Sequence, residues 1–347
     1  MIFPRITARN IFNQIKADAI GKDSHRGVTL TYSWLANQVG HFSLGFIPTI
    51  LLIPCVIKYG SFDDNALVSA ICVSINWLLF ELYNFLGPLL AGRNSKAKFV
   101  YVPEENKTVF RPAWGNIAFD TFTDLLFFWI GAFTAAIFMN NENKFTLIFL
   151  IVLIALVALP ARYWFLTKMY LQNTYYPFQF RLSQWTFPIS QKDKDAVLRF
   201  MNLEEEANHL IVFGSKNKGK TSLSVGIATE LSIKHRPCLY TTASKIYSDF
   251  SDETEAKIRM DDLWSWRNCS VLIIDDINPG PPIDDLITAD KFRELVDVKS
   301  GNREILSSKK VIWVLGEAKK MEKAKENWKS LLMEIGIPEE KIESVEL

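Results

Sequence analysis

Apolar positions fall into two different patterns along this chain. Four runs of helix length, Trp34–Ile57, Ala66–Ala91, Ile117–Met139 and Phe145–Thr167, are almost wholly apolar. At 1.5 Å rise per residue, about 20 such residues cross a hydrocarbon core of ~30 Å. All four reach that length, so the pattern predicts an α-helical membrane bundle of four transmembrane helices. Further on, short apolar stretches at Leu210–Phe213, Pro237–Thr242, Ser270–Ile274, Lys310–Leu315 and Ile342–Val345 are separated by polar, helix-like segments. Continuous apolar strands between helices predict an α/β domain with a mostly parallel sheet covered on both faces.

These patterns divide the chain into an N-terminal arm (1–33), a transmembrane domain (34–167) with a loop at 92–116, a linker (168–190) and an α/β domain (191–347). Lysine and arginine set the expected orientation. Arg5, Arg9, Lys16, Lys22 and Arg26 precede the first run, and Arg93, Lys96, Lys98, Lys107 and Arg111 lie between the second and third. The other two connections carry one lysine each, Lys58 and Lys144. A multi-pass protein of a bacterial inner membrane, with both termini and the middle loop cytoplasmic, is the expected topology. Alternating residues around Pro103–Asn106 predict a small hairpin in that loop. The linker is aromatic, with Tyr170, Tyr175, Tyr176, Phe178, Phe180, Trp185 and Phe187 beside Arg162, Lys168 and Arg181. Such a stretch next to a membrane reads as an interfacial anchor.

A formal charge of +1 argues against a general polyanion binder, and there is no direct nucleic-acid signal. Cys55, Cys72, Cys238 and Cys269 have neither pairing nor metal-ligand spacing and read as reduced, buried thiols. The opening residues, Met1 to Arg5, offer no cleavable leader.

The chemistry concentrates after the first strand-like run. Gly214, Ser215, Lys216, Asn217, Lys218, Gly219, Lys220 and Thr221 form a G-x-x-x-x-G-K-T loop, with Ser222 opening a helix-like segment. Glycines let the backbone N–H groups face a triphosphate, Lys220 neutralises its β and γ oxygens, and Thr221 offers its hydroxyl to Mg²⁺. Downstream, Val271-Leu272-Ile273-Ile274-Asp275-Asp276 is a Walker B pattern: Asp275 as a Mg²⁺ carboxylate, Asp276 as the group that orients or deprotonates water. No guanine-reading N-K-x-D motif follows, so ATP with Mg²⁺ is the expected cofactor. Lys220 and Asp276 are the expected catalytic pair.

In these residues, and in the Tyr240-Thr241-Thr242-Ala243-Ser244 strand exit, the chain resembles AAA+ ATPases of the helicase-loader and transposase-helper type. The resemblance covers about the last 150 residues. It implies Lys220 and Thr221 on phosphate and metal, and Asp275 and Asp276 as metal and water carboxylates. Where that family carries a polar sensor, this chain reads Gly316-Glu317; Arg267, Arg293 and Arg303 are the arginines available as trans fingers.

Ionisable residues inside the apolar runs form a second candidate site. At 1.5 Å per residue, His41 and Asp124 lie about 10 Å from the cytoplasmic helix ends, Glu81 about 15 Å and Asp120 about 5 Å. Such groups face a bundle interior or a watery cavity. Interhelical hydrogen bonding, a proton, ion or metal site, and displaced span ends remain open readings. The pattern around Gly40-His41-Phe42 and Asp120–Leu126 also bears a short likeness to VanZ-like membrane proteins, from which no activity is carried. The expected function is a membrane-anchored P-loop ATPase whose cytoplasmic domain controls a membrane module, alone or as a homo-oligomer. The alternative is a nucleotide-sensing scaffold that recruits a cytoplasmic protein.

Overall fold

Residues 5–20, 30–60, 62–91, 109–140, 143–202, 208–251, 263–277, 288–298, 301–316 and 321–347 are described by a computed structural model. The expected hairpin and Glu317 fall outside them. The chain separates into two units, one comprising Thr7–Glu105 and Ala113–Lys168, the other Met1–Ile6, Asn106–Pro112 and Met169–Leu347.

The first unit is helical: α1 (Ala8–Ile20), α2 (Leu30–Tyr59), α3 (Asn65–Ala91), α4 (Trp114–Met139) and α5 (Lys144–Gln172, whose last four residues belong to the second unit). The helices α2 to α5 are long and apolar enough to cross a membrane. Small residues let backbones meet. A Cβ on Gly45 of α2 would fall 1.9 Å from the Phe128 carbonyl oxygen, and one on Gly131 of α4 would fall 2.0 Å from that of Phe42. Close approach of this kind replaces hydrophobic collapse where the surroundings are themselves apolar. Polar groups join the helices: Trp77 Nε1 donates to the Leu44 carbonyl at 2.8 Å, and Trp129 Nε1 to that of Ser74 at 3.2 Å. Leu51, Phe138 and Leu159 point outward, at 68%, 76% and 75% exposure.

The second unit continues with α6 (Gln191–Phe200), β1 (His209–Phe213), α7 (Lys220–Ile233), β2 (Cys238–Thr242), α8 (Ala243–Ser251), β3 (Val271–Ile277), α9 (Ala289–Val296), α10 (Asn302–Ser307), β4 (Lys310–Leu315), α11 (Met321–Glu334) and β5 (Ile342–Glu346). The five strands form one parallel sheet in the order β2-β3-β4-β1-β5. Alternate residues of each strand enter opposite cores. Leu210, Val212, Ile273 and Ile312 pack with α6 and α7. Ile211, Leu272, Ile274 and Trp313 pack with α8, α9 and α11. Right-handed crossovers explain this split, because the β1–β2 connection runs across the sheet in the direction opposite to the later ones.

The cysteine expectation needs correction. All four thiols are free, but only Cys238 and Cys269 are buried; Cys55 and Cys72 lie exposed on α2 and α3. Burial pushes the Cys238 thiol up to about 12. A helix with an apolar surface on every side simply has too few neighbours among four helices to cover each position.

Candidate functional site

The segment from Gly214 to Ser222 leaves the carboxyl end of β1 and enters α7. The strand order reverses at β1, since the chain leaves it for the far edge and later returns to both sides of it. A crevice at such a point is where open α/β sheets hold ligands. Gly219 precedes the first turn of α7 with φ of 84°, and Gly214 has φ of 137°. A Cβ on Gly219 would sit 2.6 Å from the Phe187 ring, so a larger residue is excluded by both backbone and space. Asn217 also takes a left-handed φ of 61°. The first N–H groups of a helix have no intrahelical acceptor and carry the positive end of its dipole. Those of α7 therefore border the loop. Lys220 Nζ reaches back across it, donating to the carbonyls of Gly214 at 2.8 Å and Ser215 at 2.7 Å. The loop thus has the donors, curvature and cation that phosphate needs. Thr221, in the first turn of α7, is partly exposed.

At the end of β3 the pairing with β4 slips between Ile274 and Ile277, and Asp276 takes a φ of 56°. The slip separates the two carboxylates. Asp275 is buried at 2% exposure, whereas Asp276 is turned outward. Both oxygens of Asp275 accept protein donors, Oδ2 from the Tyr240 hydroxyl at 2.9 Å and Oδ1 from the Asp276 N–H at 2.7 Å. Partial desolvation, and then the Asp275 charge, hold the Asp276 carboxyl above its ordinary value. A raised pKa makes it a better proton acceptor when ionised. Desolvation and the same carboxylate raise the Tyr240 hydroxyl, which stays protonated as a donor. Tyr240 was not legible as a site residue. Its only signal is its position on the strand paired with β3, where Tyr240 faces Ile273.

The aromatic linker departs from the expected interfacial belt. Trp185 is fully buried, and its Nε1 donates to the Gly219 carbonyl at 3.1 Å. Leu182 is also buried, the Tyr176 hydroxyl lies 2.9 Å from Ser232 Oγ, and Tyr170 stacks on His235 with ring centroids 5.1 Å apart. Phe178 and Tyr175 remain exposed. The rings cover α7 because a tryptophan buries more apolar area in a packed core than at a half-wet interface. Phe110, from the segment preceding α4, is buried in the same cluster, 6.0 Å from the Trp185 ring. Two stretches of chain that lead into or out of apolar helices are therefore anchored beside the Gly214–Ser222 loop.

The three candidate finger arginines all have partners within this unit. Arg267 lies over the Trp266 ring and donates to Asn302, Arg293 pairs with Glu334 at 2.7 Å, and Arg303 with Asp297 at 2.6 Å.

In the helical unit, His41 Nδ1 stands 3.0 Å from Asp124 Oδ1. Asp120 lines the same cavity, and Glu81 is not part of that lining. Glu81 has Asn84 as its hydrogen-bonding neighbour. Among the described residues no group of three metal-ligating side chains is present.

No protein-family model matches this chain, and no curated protein matches it. Among solved structures, one titled "Crystal Structure of the DnaI" is similar over 48% of this chain and 90% of its own, at 15% identity and a TM-score of 0.32. That likeness is too loose to bear on function.

Proposed function

We propose that this protein is a membrane-anchored P-loop ATPase, with the helices α2 to α5 spanning the bilayer and both termini cytoplasmic. ATP bound at Gly214–Ser222 would control the helical module through gating, complex assembly or a membrane effector role. The observation that carries this reading is the phosphate loop. It leaves a central parallel strand, both of its glycines have positive φ, and Lys220 lies across its own carbonyls. A triphosphate would draw Lys220 off those carbonyls by offering a charged acceptor. Thr221 and Asp275 are the residues to hold Mg²⁺, which when bound neutralises charge on the phosphates. Asp276 would accept a proton from water, a role its exposure and raised pKa support. Trp185 and Phe110 give the loop a physical link to the flanking chain. A change at Gly219 presses on Trp185, which follows α5, and through it on Phe110, which precedes α4.

A second reading, a nucleotide-gated scaffold with little turnover that recruits a cytoplasmic partner, is favoured by two observations. Both Asp275 oxygens are already engaged, and each candidate finger arginine has an intramolecular partner. ATP turnover by the full-length protein over a range of concentrations, with Lys220→Ala as blank, separates the two. Turnover per molecule that rises with concentration and drops about 100-fold in the blank supports the motor and a homo-oligomer. Tight binding without turnover supports the scaffold, and wild-type binding equal to the blank overturns both.

A further inference from the structure

One end of the helical unit holds a cavity of about 530 Å³, within the size range of small-molecule sites. Three helix faces converge on it. Trp34, Gln38 and His41 follow i, i+4, i+7 spacing on α2, Asp120 and Asp124 follow i, i+4 on α4, and Trp164 and Lys168 do so on α5. The walls are held in place. Trp34 meets Phe165 edge-on at 5.5 Å between ring centroids, and Trp164 Nε1 donates to Thr123 Oγ1 at 3.1 Å.

With His41 Nδ1 set against Asp124, two further polar atoms are left over, and they differ in kind. Gln38 is only 7% exposed, yet its Oε1 has no donor. Trp34 Nε1 is buried and has no acceptor. Buried polar atoms without partners are uncommon, and each calls for a ligand or water. An unmet acceptor beside two carboxylates and two tryptophans suits an organic ammonium, which is drawn both to carboxylates and to aromatic rings. An unmet donor together with Lys168 suits an anion. A metal ion fits poorly, because His41 is already paired with Asp124 and no third metal-ligating side chain joins them among the described residues.

We propose that this cavity binds a small zwitterion: a primary ammonium joined through a short linker to a phosphate, as in phosphoethanolamine, either free or as a lipid headgroup. The ammonium lies between Asp124 and the two tryptophans and donates to Gln38 Oε1. The phosphate takes Trp34 Nε1 and Lys168. A quaternary ammonium has no N–H for Gln38, so choline analogues bind more weakly. The lipid source rests on the membrane reading above; the cavity does not.

Titration of the full-length protein in detergent with phosphoethanolamine, and native mass spectrometry after reconstitution with phosphatidylethanolamine or phosphatidylglycerol, test it. The expected result is saturable binding of the free amine-phosphate, or retention of phosphatidylethanolamine over phosphatidylglycerol, weakened on the order of tenfold in Asp124→Asn and in Lys168→Ala. Phosphocholine competes less well. The first arm alone identifies a soluble ligand, and the second a lipid. Absence of binding in both arms overturns the proposal, as does equal binding by wild type, Lys168→Ala and Gln38→Leu, all checked for folding by thermal melts. Protein that remains in solution without detergent removes the membrane reading and leaves the first arm intact.

Discussion

The two units present opposite surfaces. In the α/β unit, Leu210, Val212, Leu272 and Ile312 are sealed from solvent, and the buried charged side chains Asp275, Lys309 and Lys310 are all hydrogen-bonded within the protein. In the helical unit large apolar residues point outward, while Thr49 and Ser69 are fully buried and His41 pairs with a half-buried Asp124. Water explains the first arrangement through the hydrophobic effect. It cannot explain the second, because an exposed apolar surface of that extent is unstable in water. In an apolar surrounding, outward leucines cost nothing, and small-residue contacts and hydrogen bonds hold the helices together. The contrast separates a part built for water from one whose outward surface is apolar, as the membrane reading proposed above requires.

The sharpest break of that contrast is Trp185→Ala. Its ring is fully buried and holds both the Gly219 carbonyl and Phe110. We expect the α/β unit to lose about 3–5 kcal/mol, read by urea unfolding, with ATP affinity falling as Gly219 loses its neighbour. An unchanged midpoint would return the linker to a membrane-interface role. Next is Leu159→Asp, on the outward face of α5. In lipid it costs about 3 kcal/mol of insertion, seen as loss of carbonate-resistant membrane protein. In water it would be neutral.

A smaller effect concerns His209, buried on β1 with Nδ1 accepting from Trp313 Nε1 at 3.0 Å. Burial lowers its pKa from 6.5 to about 3. Between these values the unfolded chain binds a proton that the folded chain does not, so stability falls as pH drops through that window. The slope from this group is about 1.4 kcal/mol per pH unit. His209→Gln removes it, so unfolding measured from pH 7 to 4 shows a shallower decline. Smallest is Tyr240→Phe. It frees Asp275 Oδ2 at a cost of about 1 kcal/mol in stability. If the hydroxyl restrains metal binding, the Mg²⁺ concentration needed for half-maximal turnover falls; an unchanged requirement makes Tyr240 a structural neighbour only.

Much of this was readable in advance because the patterns are local. The loop Gly214–Ser222 is nine consecutive residues, the helices α2 to α5 are long apolar runs, and the strand residues of β1, β3 and β4 form largely continuous apolar stretches. The linker was not readable. An aromatic, basic stretch beside an apolar helix has the composition of an interfacial belt, and only the packing of α7 reveals that Trp185 covers Gly219 instead. The separation of Asp275 from Asp276 was equally hidden, since a slip in strand pairing depends on the partner strand. In the helical unit, helix spacing placed Asp120 and Asp124 on one face, but which of the ionisable groups meet depends on how separate helices are rotated. His41 reached Asp124, and Glu81 did not line their cavity.

The sequence by itself determined which segments are apolar on every side, which are apolar strands between helices, and where the glycine-bounded loop Gly214–Ser222 lies, because periodicity and backbone permissiveness act over a few residues. The tertiary structure alone decided that Phe110 and Trp185 share a core beside Gly219, that Tyr240 holds Asp275, and that Gln38 and Trp34 keep unpartnered polar atoms in a cavity. These depend on contacts between residues distant in the chain, and only the packing of whole elements against one another decides those.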